Sequence, residues 1–298
     1  MKYTLLLVLV TTLSYFLFSS SNFFIPIQSI SNFGLSFENI FGVITYPFLH
    51  ISLNHLIGNM CLLMAIGFVA ESRLNRKDFF AIYFLSSIAT GLVVAFFAQN
   101  TILIGASAAV AGLVIPACLI DFKKVIVYLV LFGVLSFMLT SAADFAVSST
   151  YTFSQNQTTE LEHVYNDTVQ QRTLAVGNIS TLEDRFRSGE INETQYNQSR
   201  QTLVSLIENL TKMQNSTANQ LSQAKISVLN IEEGISREQA SETSTPAHVV
   251  GSLVGLGYIA LFERGIIWNS GYQVSRLEQW LRRQRKNWRK RGSRKSSR

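Results

Sequence analysis

Long apolar runs are the feature that most limits how this chain can fold. A helix needs about 20 mainly apolar residues to cross a bilayer, and a chain in lipid must satisfy its backbone polar groups internally, as a helix does. Six segments approach that length, namely residues 3–18, 50–70, 79–98, 102–120, 125–143 and 247–262. The sequence therefore predicts an all-α polytopic membrane protein, a bundle of six spans numbered in chain order.

Composition divides the chain into four regions. Residues 1–143 contain the first five spans, residues 144–245 are polar, residues 246–268 are apolar again and residues 269–298 are basic. We expect a membrane core of helices 1 to 5, a large helical insert, the sixth membrane helix of the core, and a basic tail.

Lysine and arginine near the span ends predict the orientation, because cytoplasmic loops carry an excess of both. Those expected on one side are Lys2, Arg73, Arg76, Lys77, Lys123, Lys124 and Arg264, and the tail adds eleven more. Both termini are therefore predicted to be cytoplasmic, with the insert extracellular or lumenal. The tail also contains Trp280 and Trp288, and we expect it to bind anionic lipid heads rather than nucleic acid.

Glycosylation motifs agree with this orientation. The insert has nine Asn, of which seven begin an Asn-x-Ser/Thr motif, whereas none of the nine Asn elsewhere does so. The seven acceptors are Asn156, Asn166, Asn178, Asn192, Asn197, Asn209 and Asn215. Such motifs are modified on translocated loops, so the sequence predicts a glycosylated insert.

The first span has a second interpretation. Lys2, the apolar stretch after it and the serines at 19–21 together resemble a secretory signal peptide. Its removal would leave five spans and would put the basic tail and the insert on inconsistent sides. We therefore favour six spans and keep the cleaved form as the alternative.

Apolar residues repeat in steps of three and four along the insert. The stripes are Ala175, Ile179, Leu182 and Phe186; Leu203, Leu206, Leu210 and Met213; and Leu221, Ala224, Val228, Ile231 and Ile235. They are typical of a helical hairpin or a coiled coil, with its turn at residues 187–190. We expect an ectodomain without chemistry of its own, able to self-associate.

Ionisable residues within spans are costly in lipid and are therefore functional candidates. Of four His, only His163 lies in the insert, while His50, His55 and His248 lie at or in spans. His55 and Asn59 are four residues apart, so they share a helix face. The alternative is that these polar groups only hold helices together.

Ser107 stands at the predicted start of span 4. Gly105 permits a tight turn from loop to helix, and the small residues Ala108, Ala109 and Gly112 let another helix approach closely. In isolation, a serine in a membrane helix most often bonds its own backbone. The neighbouring small residues make Ser107 a candidate nucleophile.

Span 6 offers the partner helix. His248, Gly251 and Gly255 lie on one face, and the two glycines form a small-xxx-small contact surface. Packing this face against span 4 would bring His248 towards Ser107. A serine hydroxyl needs such a base to become a nucleophile, and His suits that role near neutral pH.

Together these motifs resemble the rhomboid family of intramembrane serine proteases. The matching residues are His50, His55 and Asn59 in span 2, Gly105, Ala106 and Ser107 in span 4, and Ala247, His248, Val249, Val250, Gly251 and Gly255 in span 6. The resemblance implies a six-helix fold and an endopeptidase that cleaves peptide bonds in transmembrane protein substrates with a Ser–His dyad.

By the same resemblance, Ser107 is the nucleophile and His248 the base. His55, Asn59 and the Ser107 backbone N–H would stabilise the oxyanion, and His50 would support them. The chain departs from the family at Ala108, where Gly is usual, and at Ala111, where an aromatic residue commonly packs on the catalytic His.

Two other function classes stay open at this point. A rhomboid-like pseudoprotease would bind membrane clients without cutting them, and a glycosylated receptor or adhesin would use the insert alone. The sequence predicts no cofactor and no metal, since it lacks nucleotide-loop and zinc motifs. Cys61 and Cys118 lie inside spans and indicate neither a disulfide nor a metal site.

Overall fold

A computed structural model describes residues 1–19, 23–97, 101–240, 245–263 and 266. The described residues form helices and loops without a β-strand, in agreement with the predicted all-α class. They divide into two compact units. One is Met1–Asp144 with the described residues from Ser236 onwards, and the other is Phe145–Ile235.

Seven α-helices account for most of the described residues. They are α1 (Lys2–Phe18), α2 (Ile27–Phe33), α3 (Leu53–Glu71), α4 (Arg76–Phe97), α5 (Ser107–Arg187), α6 (Glu193–Ala240) and α7 (Thr245–Phe262). Two short 3₁₀ turns, Ile40–Val43 and Tyr46–Phe48, lie in the loop between α2 and α3. The apolar segments predicted from the sequence are thus helical, although their bounds differ.

The predicted boundary between spans 4 and 5 is present as a break in helical geometry at Asp121, whereas no such break separates span 5 from the first half of the insert. α5 is thus an 81-residue run of two helices that meet at Asp121 (φ −159°, ψ 84°), and the second of them includes span 5 and the first half of the insert. Beyond the apolar stretch, residues 144–187 contain no Pro and a single Gly. Nothing in that stretch stops a helix, so composition changes at residue 144 while the backbone conformation does not.

Three of these helices, α3, α4 and α5, are long and apolar enough to cross a membrane. α1 and residues 247–262 form shorter apolar helices. Only 6% of the most apolar window of α5 is buried within the protein. Its apolar side chains therefore suit a lipid surrounding.

Two pairs of helices build most of the membrane unit. Glu71, the last residue of α3, accepts from the backbone N–H groups of Tyr3 and Thr4 at 3.1 and 3.0 Å, which joins it to the first turn of α1. α7 lies against α4, where the Tyr258 hydroxyl donates to Asp78 at 2.8 Å. α7, which carries His248, is thus held by α4 as well as by α5.

The second unit is a helical hairpin. α5 ends at Arg187, Gly189 takes φ +78°, and α6 begins at Glu193, so the predicted turn is confirmed. Buried positions recur every seven residues, at Thr168, Ala175 and Leu182 on one helix and at Leu210, Thr217, Ala224 and Ile231 on the other. The predicted stripe is only partly right, because Leu206 and Met213 are each 45% exposed.

Candidate active site

Ser107 is the first residue of α5, and the turn before it has an unusual backbone. Gly105 takes φ +104°, a conformation open to glycine and costly for other residues. The Gly105 N–H donates to the Tyr46 carbonyl at 2.9 Å. The Ala106 N–H points to Nε2 of His50 at 3.5 Å, a long bond. These contacts fix the turn that presents Ser107.

The loop between α2 and α3 forms the support for this turn. Leu35 and Leu103 exchange backbone hydrogen bonds of 3.0 and 2.7 Å. The buried Tyr46 hydroxyl donates to the Ser87 carbonyl on α4 at 2.7 Å and accepts from the Ser87 hydroxyl at 2.9 Å. The segment leading to Ser107 is therefore tied through Tyr46 to a helix of the core.

His50 was predicted to be the first residue of the second span, but it lies before the helix that forms this span. α3 begins at Leu53 because Ser52, in an extended conformation, caps it and accepts from the His55 N–H at 3.1 Å. His50 lies two residues before this cap and is fully buried. Its ring lies 5.0 Å from that of His55, centroid to centroid, at 66°.

His55 and Asn59 lie beside the Gly105 turn. A Cβ built on Gly105 would lie 2.9 Å from Cε1 and 3.0 Å from Nε2 of His55, and 3.9 Å from Nδ2 of Asn59. The Asn59 amide also donates to the His55 carbonyl at 2.9 Å. The two predicted oxyanion residues thus face the backbone two residues before Ser107.

The glycines of α7 pack directly on the start of α5. A Cβ on Gly251 would overlap the Ala108 carbonyl oxygen, and one on Gly255 would overlap the Gly112 carbonyl oxygen. The Ser252 hydroxyl donates to the Ala111 carbonyl at 3.1 Å. Residue numbers rise together on the two helices, so the helices run parallel.

This register locates His248 along α5. His248 comes one turn before Gly251, and Gly251 lies opposite Ala108. At 1.5 Å per residue, His248 is therefore about level with Gly105 and within one turn of Ser107. Both side chains are partly exposed. Within the described residues no hydrogen bond joins Ser107 to His248.

The two departures from the family pattern lie in this helix contact. Ala108 is 2% exposed and Ala111 is 7% exposed. At position 111 the backbone carbonyl is occupied by Ser252 and a Cβ on Gly251 would lie 3.3 Å from the Ala111 Cβ. Among the described residues, no aromatic ring pairs with His248. α7 therefore lies directly against position 111.

Three further residues of the site were missed by sequence reasoning. Ser52 could have been found, since serine is a preferred N-cap. Tyr46 carries no local signal for its bond to α4. Glu238 accepts from the Ser52 hydroxyl at 2.7 Å across 186 positions of sequence, and no local pattern predicts such a contact. No group of three or more His, Cys, Asp or Glu in the described residues could hold a metal ion.

A comparison with protein families finds one relationship. The Rhomboid domain matches residues 38–159. The match includes His50, His55, Asn59, Gly105 and Ser107, and ends before His248. No curated protein and no solved structure matches the chain.

Rhomboid domains act on transmembrane substrates within the membrane, and the apolar helices here agree with that setting. The chain is an integral membrane protein. The Rhomboid domain match over residues 38–159, together with the placement of these residues around the start of α5, supports a rhomboid family protein.

Proposed function

We propose that this protein is an intramembrane serine endopeptidase that cleaves peptide bonds in transmembrane segments with Ser107 and His248. The observation that carries the proposal is the contact of Gly251 with Ala108, where two helices approach at backbone distance. That contact brings a histidine and a serine, far apart in sequence, within one helical turn of the same level. The Rhomboid domain match over residues 38–159 supports the same chemistry.

In the first half of the reaction, His248 takes the proton of the Ser107 hydroxyl as Oγ attacks the substrate carbonyl carbon. The tetrahedral intermediate collapses when the protonated His248 gives this proton to the leaving amine nitrogen. An acyl-enzyme remains on Ser107. A water molecule then repeats the sequence, with His248 as its base, and releases the carboxylate product and the serine.

Oxyanion stabilisation is assigned to His55, Asn59 and the Ser107 backbone N–H. The first N–H groups of a helix have no intrahelical acceptor, so the Ser107 N–H is available at the start of α5. His55 and Asn59 approach from α3 on the side of Gly105. Each such donor contributes about 3–4 kcal/mol in soluble proteases. His50 has a supporting role, through its ring contact with His55.

The orientation and the insert complete the proposal. We assign six spans, both termini to the cytoplasm and the insert to the extracellular or lumenal side. The seven acceptor Asn residues of the insert are all exposed, which suits glycosylation. Buried positions at intervals of seven residues suit a coiled coil and self-association. The basic tail, assigned to anionic lipid heads, lies outside the described residues.

An activity-based probe tests the function directly. Purified protein should label with a fluorophosphonate or isocoumarin at Ser107 and cut a transmembrane reporter. Ser107→Ala and His248→Ala should each abolish cleavage while the protein still folds. Retained cleavage by Ser107→Ala would rule out this mechanism.

One observation favours a second candidate, the pseudoprotease. Ser107 and His248 are not hydrogen-bonded within the described residues, although such bonds often tighten only when substrate binds. A pseudoprotease would bind transmembrane clients and fail to label with either probe. Its Ser107→Ala variant would capture the same clients as the wild-type protein.

A further inference from the structure

The last turn of α6 bonds to two residues of the membrane unit, Ile25 in the segment between α1 and α2 and Ser52 just before α3. The Arg237 guanidinium donates to the Ile25 carbonyl at 2.9 Å, and the Glu238 carboxylate accepts from the Ser52 hydroxyl at 2.7 Å. All four residues belong to the membrane unit. Ser52 is 2% exposed and Ile25 is fully buried. Both bonds are therefore made to buried residues of this unit.

Ser52 joins Glu238 to the candidate oxyanion site. Its hydroxyl oxygen caps α3 by accepting from the His55 N–H at 3.1 Å, while its proton goes to Glu238. Hydrogen bonds in a chain polarise one another, so the donation to a carboxylate makes the hydroxyl a better acceptor. A negative charge near a helix N-terminus is also stabilising. Both effects hold the first turn of α3 in place.

We infer that Glu238 is a positioning residue, which fixes the Ser52 cap and through it the His55 imidazole against the Gly105 turn. This inference rests on the proposed protease function. The geometry leaves little tolerance, because the His55 ring lies 2.9 Å from where a Gly105 Cβ would stand. Oxyanion donors act at about 2.7–3.1 Å. A small displacement of His55 therefore reduces stabilisation of the transition state more than it reduces the affinity for substrate.

The experiment uses the full-length protein and a transmembrane reporter. Glu238→Ala should lower kcat about tenfold with KM little changed, since a charge-assisted bond is lost one step from the site. Glu238→Gln should keep most of the activity, because its amide oxygen still accepts from Ser52. Arg237→Ala is the matched control. It removes a neighbouring bond from the same turn of α6, and it should leave kcat within about twofold.

A cycle with Ser52 separates positioning from general stabilisation. If Glu238 acts through the Ser52 hydroxyl, Ser52→Ala with Glu238→Ala should be no slower than Ser52→Ala alone. Additive losses would overturn the inference. An equal loss in Arg237→Ala would also overturn it, since the turn would then only anchor α6. A Glu238→Gln variant as slow as Glu238→Ala would do the same.

Amide hydrogen exchange makes the result independent of catalysis. Glu238→Ala should speed exchange at residues 53–56, whereas Arg237→Ala should not. If the wild-type protein neither labels nor cleaves, the proposed function fails, and exchange alone then decides whether Glu238 holds the cap. Unchanged exchange at these residues in Glu238→Ala overturns the inference whether or not the protein is an active protease.

Discussion

Gly255 of α7 lies so close to Gly112 of α5 that a Cβ on residue 255 would overlap the Gly112 carbonyl oxygen. This contact lies two turns after His248 along α7, and it sets how near α7 can come to α5. The neighbouring Gly257 has open space around its Cβ position. The two glycines therefore have opposite sensitivities to a methyl group.

Gly255→Ala should separate the helices and reduce both stability and activity. A methyl group against backbone cannot be accommodated by a rotamer change, and such overpacking costs about 1–3 kcal/mol. We expect a lower midpoint of thermal unfolding in detergent and weaker probe labelling at Ser107. Gly257→Ala is the control, and it should be neutral or slightly stabilising because Ala favours helix. Equal behaviour of the two variants would contradict the packing described.

Gly105→Ala should strongly reduce the rate of reporter cleavage, while the protein still folds. The substitution forces a side chain into φ +104° and places its methyl group 2.9 Å from the His55 ring. Both the turn before Ser107 and the oxyanion site are then disturbed. Cleavage of a transmembrane reporter provides the measurement. Gly189→Ala, at φ +78° in the hairpin turn with open space around it, is the control for backbone strain alone and should leave turnover unchanged.

Asn59→Ala should slow turnover by about 10²–10³ while probe labelling stays detectable. The variant lacks the Asn59 amide as a hydrogen-bond donor to the oxyanion, whereas Ser107 and His248 are retained. Single-turnover cleavage measures the rate, and unchanged KM would place the loss in the chemical step. If Asn59→Ala and His55→Ala both leave turnover unchanged, the two residues only hold helices together.

The insert should be glycosylated at its exposed acceptors in a eukaryotic expression host. Replacing Asn by Gln at each of the seven motifs should remove one glycan each, seen as a stepwise gain in gel mobility. Asn219 and Asn230 begin no motif, so their replacement is the control and should change nothing. Absence of any glycan on the wild-type insert would contradict the predicted orientation.

Replacing residues 147–235 by a Gly/Ser linker should preserve the active site. The linker needs only to join the remaining ends, and Arg237 and Glu238 are kept. We expect the shortened protein to label with the probe and to cut a short reporter, while its choice among substrates with large ectodomains changes. Failure of folded, shortened protein to label would show that the hairpin is required at the site.

The helical class and the turn of the insert were accessible from the sequence because each has a local signature, and local signatures also mark the candidate site residues. Apolar length predicts a membrane helix, spacing of four puts His55 and Asn59 on one face, and Gly105 before Ser107 predicts a special backbone. The continuity of span 5 with the first half of the insert was not accessible, since a change from apolar to polar residues does not end a helix. The hydrogen bond from Ser52 to Glu238 joins residues 186 positions apart. It depends on the tertiary fold that brings the end of α6 to the start of α3, and no local pattern contains that information.

The packing of α7 on α5 also has a consequence for biosynthesis. Roughly 140 residues separate Ser107 from His248, and chains grow at about 5–20 residues per second. Ser107 is therefore made roughly 7 to 30 seconds before His248. On the proposed mechanism, the nascent protein would lie in the membrane during that time without a complete Ser–His dyad, and it could not cut its neighbours at the translocon. Completion of the last helix, rather than removal of an inhibitory segment, would be the event that starts its activity.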